Sequence, residues 1–144
     1  MTATSALQAD LDRDRCLIAN GLVFATGEIV VLTPDAKVSK RLMRDAAVEQ
    51  ELGFASLAMF CNASSNEWQA HAGETSREGE GFVALFRAGV VVWVLILDWS
   101  EPFNSVHLDG SVITAVSGDY PSRMRWTIPV ADPLALKLER QRAT

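Results

Sequence analysis

The chain has 144 residues, 49% hydrophobic and 22% charged, with a net charge of −5. These values fit one globular domain over residues 1–144 and exclude a disordered chain. The acidity counts against nucleic acid as a partner, because such binders draw their affinity from neutralising phosphates, and it favours a basic protein partner.

Residues 1–14 are polar and acidic, with no basic start followed by an apolar stretch. This predicts no signal peptide and a cytoplasmic location. Residues 5–20 read as a helix, with Ser5 as its cap, Leu7, Leu11 and Ile18 on one face, and Gly21 as its stop. Asn20-Gly21 is also a good hairpin turn, which would make residues 15–19 a strand. Both readings stay open. Residues 22–25 and 28–32 predict a short hairpin around Thr26-Gly27.

Thr33-Pro34 reads as the start of a long amphipathic helix over about residues 34–52, ended by Gly53. Ala36, Val38, Leu42, Met43, Ala46 and Ala47 would form its apolar face. Lys37, Lys40, Arg41 and Arg44 would then line the opposite face. Such a basic stripe suits a phosphate ligand or an acidic surface, and equally the solvated back of a helix.

The rest of the chain predicts strands. Residues 54–61 and 67–72 flank a polar turn at 62–66, and 73–81 reads as a mobile loop. The apolar run 82–99 is interrupted by Arg87 and Gly89, and its second half is β-branched. It therefore predicts a buried hairpin and not a membrane span. Residues 103–108 and 111–117 turn at Asp109-Gly110. Residues 123–128 read as an edge strand before Pro129, and 134–141 as a short helix. The expected fold is α+β: a mainly antiparallel meander sheet, one long helix packed on it, and short N- and C-terminal helices.

A continuous meander would place Phe82, Ala84, Val92, Val94, Ile96, Val106 and Ile113 on a core face under the helix. Val83, Leu85, Trp93, Leu95, Leu97, Trp99, Phe103 and His107 would lie on the other face. That second face is too apolar for water, so it must be covered by other elements, a ligand or another chain.

No phosphate loop, dinucleotide fingerprint, nucleophile elbow or zinc-protease motif is present. Two cysteines and two histidines, widely spaced, predict neither a metal site nor a cofactor. Cys61 and His71, on successive strands, fall about 13 Å apart in the expected register, too far for a nucleophile and its base. His107 is the one weak catalytic candidate, with Asp98 or Glu101 as its orienter.

These features predict a non-enzymatic interaction domain of the immunity, antitoxin, adaptor or phage-accessory kind. Its binding residues would be Trp93, Trp99, Phe103 and His107, with Lys37, Lys40, Arg41 and Arg44 as a second set. The expected partner is a protein or a second copy, with self-association favoured, since a twofold contact needs one patch only. The alternative is a small-molecule binder or small enzyme with its site around Trp93, Trp99, Phe103 and His107.

Overall fold

The structure, a computed structural model, describes residues 4–119 and 121–141. Residues 1–3, the opening of the polar N-terminal stretch, lie outside the described residues. In chain order, α1 (Ala6–Leu11) is followed by β1 (Arg15–Leu17), β2 (Gly21–Phe24), β3 (Glu28–Leu32) and β4 (Val38–Met43). Next come α2 (Ala46–Leu52), β5 (Phe54–Ser65), β6 (Trp68–Thr75), β7 (Gly81–Arg87) and β8 (Val90–Leu97). β9 (Phe103–Asp109), β10 (Val112–Ser117), β11 (Met124–Pro129), a 3-10 turn (Pro133–Ala135) and β12 (Lys137–Arg140) complete it.

Strands make up 55% of the structure and helices 12%, so the expected α+β fold is corrected to a mostly β one. The strands form an eight-stranded antiparallel sheet in the order β1-β5-β6-β7-β8-β2-β3-β4 and a four-stranded one in the order β12-β11-β10-β9. The larger sheet curls. One of its faces packs α1 through Leu7, together with Leu17, Val23, Ile29, Phe82, Val94 and Ile96. The other face, carrying Leu22, Val30, Val83, Leu85, Trp93, Leu95 and Leu97, packs on Phe103, Ile113, Trp126 and Ile128 of the smaller sheet. No helix among the described residues is long and apolar enough to cross a membrane.

The long helix over residues 34–52 is absent. Thr33 instead closes a tight loop, with its N–H on the Lys37 carbonyl at 2.8 Å and its hydroxyl bonded to Asp35. Ala36 stands in the left-handed region at φ 64°, where a right-handed helix cannot continue. β4 then pairs with β3, and only Ala46–Leu52 is helical. Asp45 caps that helix by accepting from the Val48 N–H, and Gly53 ends it.

The meander breaks after β8. Glu101, at φ 60°, turns the chain across the end of β7, and Ser100 bonds the Leu97 and Glu101 carbonyls. Gly81 makes the crossing possible, since a Cβ there would sit 2.3 Å from the Glu101 oxygen. β9 therefore starts a second sheet, and Val106 and Ile113 join the core on the opposite side from the one expected. β11 is internal, between β10 and β12, and not an edge. The expected C-terminal helix is the 3-10 turn followed by β12. At the N-terminus each open reading holds in part: α1 stops at Leu11, and Arg15–Leu17 is a strand, but it pairs with β5 and not across Asn20-Gly21.

Candidate functional site

The structure disperses the residues expected to form a site. Trp93 and Phe103 are sealed between the two sheets, with the Trp93 indole donating to the Val130 carbonyl at 3.2 Å. Trp99 is half-buried against Trp126, ring centroids 5.4 Å apart. His107 is exposed near the far end of β9, opposite Thr114, about 13 Å along the strand from Phe103. The basic residues do not share a helix face. Lys37 lies in the loop before β4, Lys40 and Arg41 point to opposite sides of that strand, and Arg44 is buried.

Cys61 and His71 are closer in register than expected, because the β5–β6 hairpin turns at Asn66-Glu67 and pairs Asn62 with His71. Cys61 pairs with Ala72, so its side chain lies on the opposite face of the sheet from the imidazole. Its thiol points 3.7 Å from the Ala72 carbonyl. Burial, and next the Asp10 carboxylate, push the Cys16 thiol up to about 12. A neutral-pH thiol reagent should therefore leave Cys16 unmodified until the protein unfolds. Labelling of native Cys16 at the rate of an unfolded control would contradict this burial.

The strongest candidate is a surface that the sequence reading did not select. β1 covers β5 only at Phe54, Ala55 and Ser56. One more bond, from the Leu57 N–H to the Asp14 carbonyl at 2.8 Å, ends that cover. From there to Ser65 the outer edge of β5 is hydrogen-bonded to no strand among the described residues, although β9 of the smaller sheet packs close to β5 on one face. No charged residue occurs over residues 53–66. Natural edges are normally guarded by charge, as β12 is by Lys137, Glu139 and Arg140. Met59 and Phe60, mid-edge, are each 53% exposed. Strand alternation sends these two neighbours to different faces, and the bulge that follows keeps Phe60 on the same side as Cys61.

A hollow flanks the edge on each face. On the α1 side, Leu57, Met59, His71, Phe82, Ala84 and Phe86 line a cavity of about 90 Å³, with Asp14 at its rim. On the other side, Phe60, Pro102, Asn104, Glu101 and Asp119 border a wider hollow of about 410 Å³. The first is apolar with one carboxylate, and the second is acidic.

A partly buried ionic cluster, with Asp10 and Arg44 inside and Arg15 and Glu49 at its margin, fixes the corner where the edge opens. Arg44 bonds Asp10 at 2.6 Å and Glu49 at 2.8 Å, and the Arg15 guanidinium lies 4.2 Å from the Phe54 ring centroid. These contacts tie α1, β1 and α2 to the start of β5. The two acids and two bases balance, so the cluster serves packing and not ligand capture. Hydrogen bonds and charge from Glu49 and Asp10 outweigh the cost of burial and hold the Arg44 pKa above its ordinary value.

No family model, no curated protein and no solved structure matches the chain. The functional reading therefore rests on the edge itself. Among the described residues no group of three or more metal-ligating side chains converges.

Burial lowers the His71 pKa from its ordinary 6.5, and the ring lies tilted against Phe86 with centroids 4.7 Å apart. The fold favours the neutral ring, while the unfolded chain protonates at the ordinary value. The resulting stability is present above about 6.5 and lost as pH falls through the folded pKa. Denaturant midpoints should thus fall with acidification below that point, and less so in His71→Phe. An identical pH dependence in the variant would contradict this assignment.

Proposed function

We propose that the protein is a non-enzymatic interaction domain that takes an extended segment of another chain onto the open edge of β5. The carrying observation is the bare, uncharged edge over residues 57–65 with Met59 and Phe60 exposed on it. In strand addition, main-chain hydrogen bonds supply affinity and hollows for alternate side chains supply specificity. The edge has one hollow on each side for that purpose. The partner is a protein segment, foreign or from a second copy. A reducing compartment fits the two free thiols, Cys16 and Cys61.

The test places a photoreactive phenylalanine analogue at Phe60, with Val90 as the control. Val90 is similarly exposed, at 59%, but sits at the β7–β8 turn. One discrete adduct from position 60 and none from 90 is the expected result. No adduct at 60, or the same adducts from both, would refute the reading.

The Trp99 indole N–H is buried without an acceptor among the described residues, beside a groove of about 380 Å³ formed with Met124, Leu138, Glu101 and Arg140. An aromatic wall with two opposite charges suits a small polar-aromatic ligand. Native mass spectrometry of protein taken from its own cells would reveal a retained small molecule, and an unliganded mass would count against this reading.

A further inference from the structure

Five large apolar side chains are exposed among the described residues: Val38, Met43, Met59, Phe60 and Val90. Four of the five lie on two strands, β4 and β5. These strands bound the same sheet, β4 at one end and β5, past its short cover by β1, at the other. An unpaired, partly apolar strand at each end of one sheet is unusual for a chain that stays alone. We propose that the β4 edge of one copy docks on the open β5 edge of another, so that the eight-stranded sheet continues from copy to copy. This rests on the reading of β5 as a strand-accepting edge and names its occupant.

The charges favour this pairing over the others. The chain carries −5 overall, so copies repel in general. Yet four of its thirteen basic residues, Lys37, Lys40, Arg41 and Arg44, fall within eight positions around β4. Arg44 is internal, but Lys37, Lys40 and Arg41 are exposed. The hollows beside β5 hold the opposite sign, Asp14 on one face and Glu101 with Asp119 on the other.

The match holds face by face. Lys40 and Leu42 lie opposite Val31 and Ile29, on the α1 side of the sheet. In a continued sheet they would adjoin Leu57, Met59 and Asp14 of the next copy. Val38, Arg41 and Met43 lie on the other side, the side of Phe60, Glu101 and Asp119. Each face thus brings an apolar side chain and a cation to an apolar side chain and an anion. Arg41 already touches Glu28 at 2.9 Å, but that pair is exposed and weak enough to be shared.

The lengths agree as well. β4 has six residues, about 20 Å of strand, and the open part of β5 has nine. Pairing β5 with its own image would bring two acidic borders together and gather no cation. Pairing β4 with its image would gather Lys37, Lys40 and Arg41 of both copies with no new anion to meet them. Like charges brought together in that way select against the wrong pairing. A contact between two different edges is heterologous, so each docked copy leaves a free edge at both ends of the assembly.

This asymmetry supplies the test. One variant blocks β4, Lys40→Glu with Met43→Glu. A second blocks β5, Phe60→Lys. All three positions are exposed, and circular dichroism would check that both variants keep the wild-type fold. Sedimentation of the wild type over a concentration series should show mass growing with concentration, less so at high salt, where the paired charges are screened. Each variant alone should remain a monomer. An equimolar mixture should give a one-to-one dimer and nothing larger, because it contains one usable β4 edge and one usable β5 edge. A wild type that stays monomeric at every concentration would overturn the inference. So would a β4 variant that assembles as the wild type does, which would mean β5 pairs with itself, or a mixture that stays monomeric. A foreign protein as the adduct of position 60 would also overturn it, while leaving the strand-accepting edge intact.

Discussion

Arg44→Ala is expected to destabilise the protein by about 3–5 kcal/mol, the usual cost of removing one partner from a buried ion pair. The Arg44 side chain is 8% exposed and the Asp10 side chain 5%. Without Arg44, the Asp10 carboxylate is left in the core beside Cys16 and Leu7, uncompensated except by Arg15 at 3.4 Å. The damage would reach three elements, since Arg44 also holds Glu49 of α2 and lies 6.0 Å from the Phe54 ring. Lys40→Glu on the exposed strand beside it should change stability by under about 0.5 kcal/mol. The double change Asp10→Leu with Arg44→Met should recover most of the loss, because apolar groups of similar volume need no counter-charge. Equal, small effects at Lys40 and Arg44, read from urea unfolding, would contradict the buried pair and return both residues to one solvated surface.

Trp126→Ala should cost a similar amount, about 3–5 kcal/mol, through the cavity it leaves. Trp126 is fully buried, packs on Phe103 at 5.6 Å and on Trp99 at 5.4 Å, and donates its indole N–H to Ser117 at 2.9 Å. With Phe103, Ile113 and Ile128 it forms the face of the smaller sheet that packs on Trp93 and its neighbours in the larger one. Aromatic residues of this size each bury about 150–250 Å². That burial is why the apolar surface of Trp93 and Phe103 needs no outside partner: the chain folds back and covers it. A loss below about 1 kcal/mol in chemical denaturation would mean the two sheets are not closed on each other.

The strands were largely legible because alternation, β-branching and Gly turns point the same way. The 82–99 hairpin appears as β7 and β8, and the turns near Thr26-Gly27 and Asp109-Gly110 join β2 to β3 and β9 to β10. The long helix failed at Ala36, whose left-handed backbone no propensity signals, and at Thr33, whose hydroxyl serves a loop and not a helix start. The two-sheet arrangement failed at Glu101 and Gly81, where a close backbone crossing hides behind ordinary residues. Arg44 looked like its neighbours Lys40 and Arg41, since burial of one cation in a run is set by distant Asp10 and Glu49. The β5 edge did leave a trace, the charge-free run over residues 53–66 with adjacent Met59 and Phe60. Its meaning depended on strand order, which decides whether such a strand is central or bare.

Amide hydrogen exchange, resolved residue by residue along β5, reports on the open edge itself. An antiparallel edge leaves every second N–H pointing outward. In the dilute protein, alternate amides over residues 58–64 should exchange fast while the others are protected by β6. In the assembled protein, or in the complex captured through position 60, the fast set should become slow. Unchanged fast exchange at β5 in that complex, with new protection appearing elsewhere, would contradict the account.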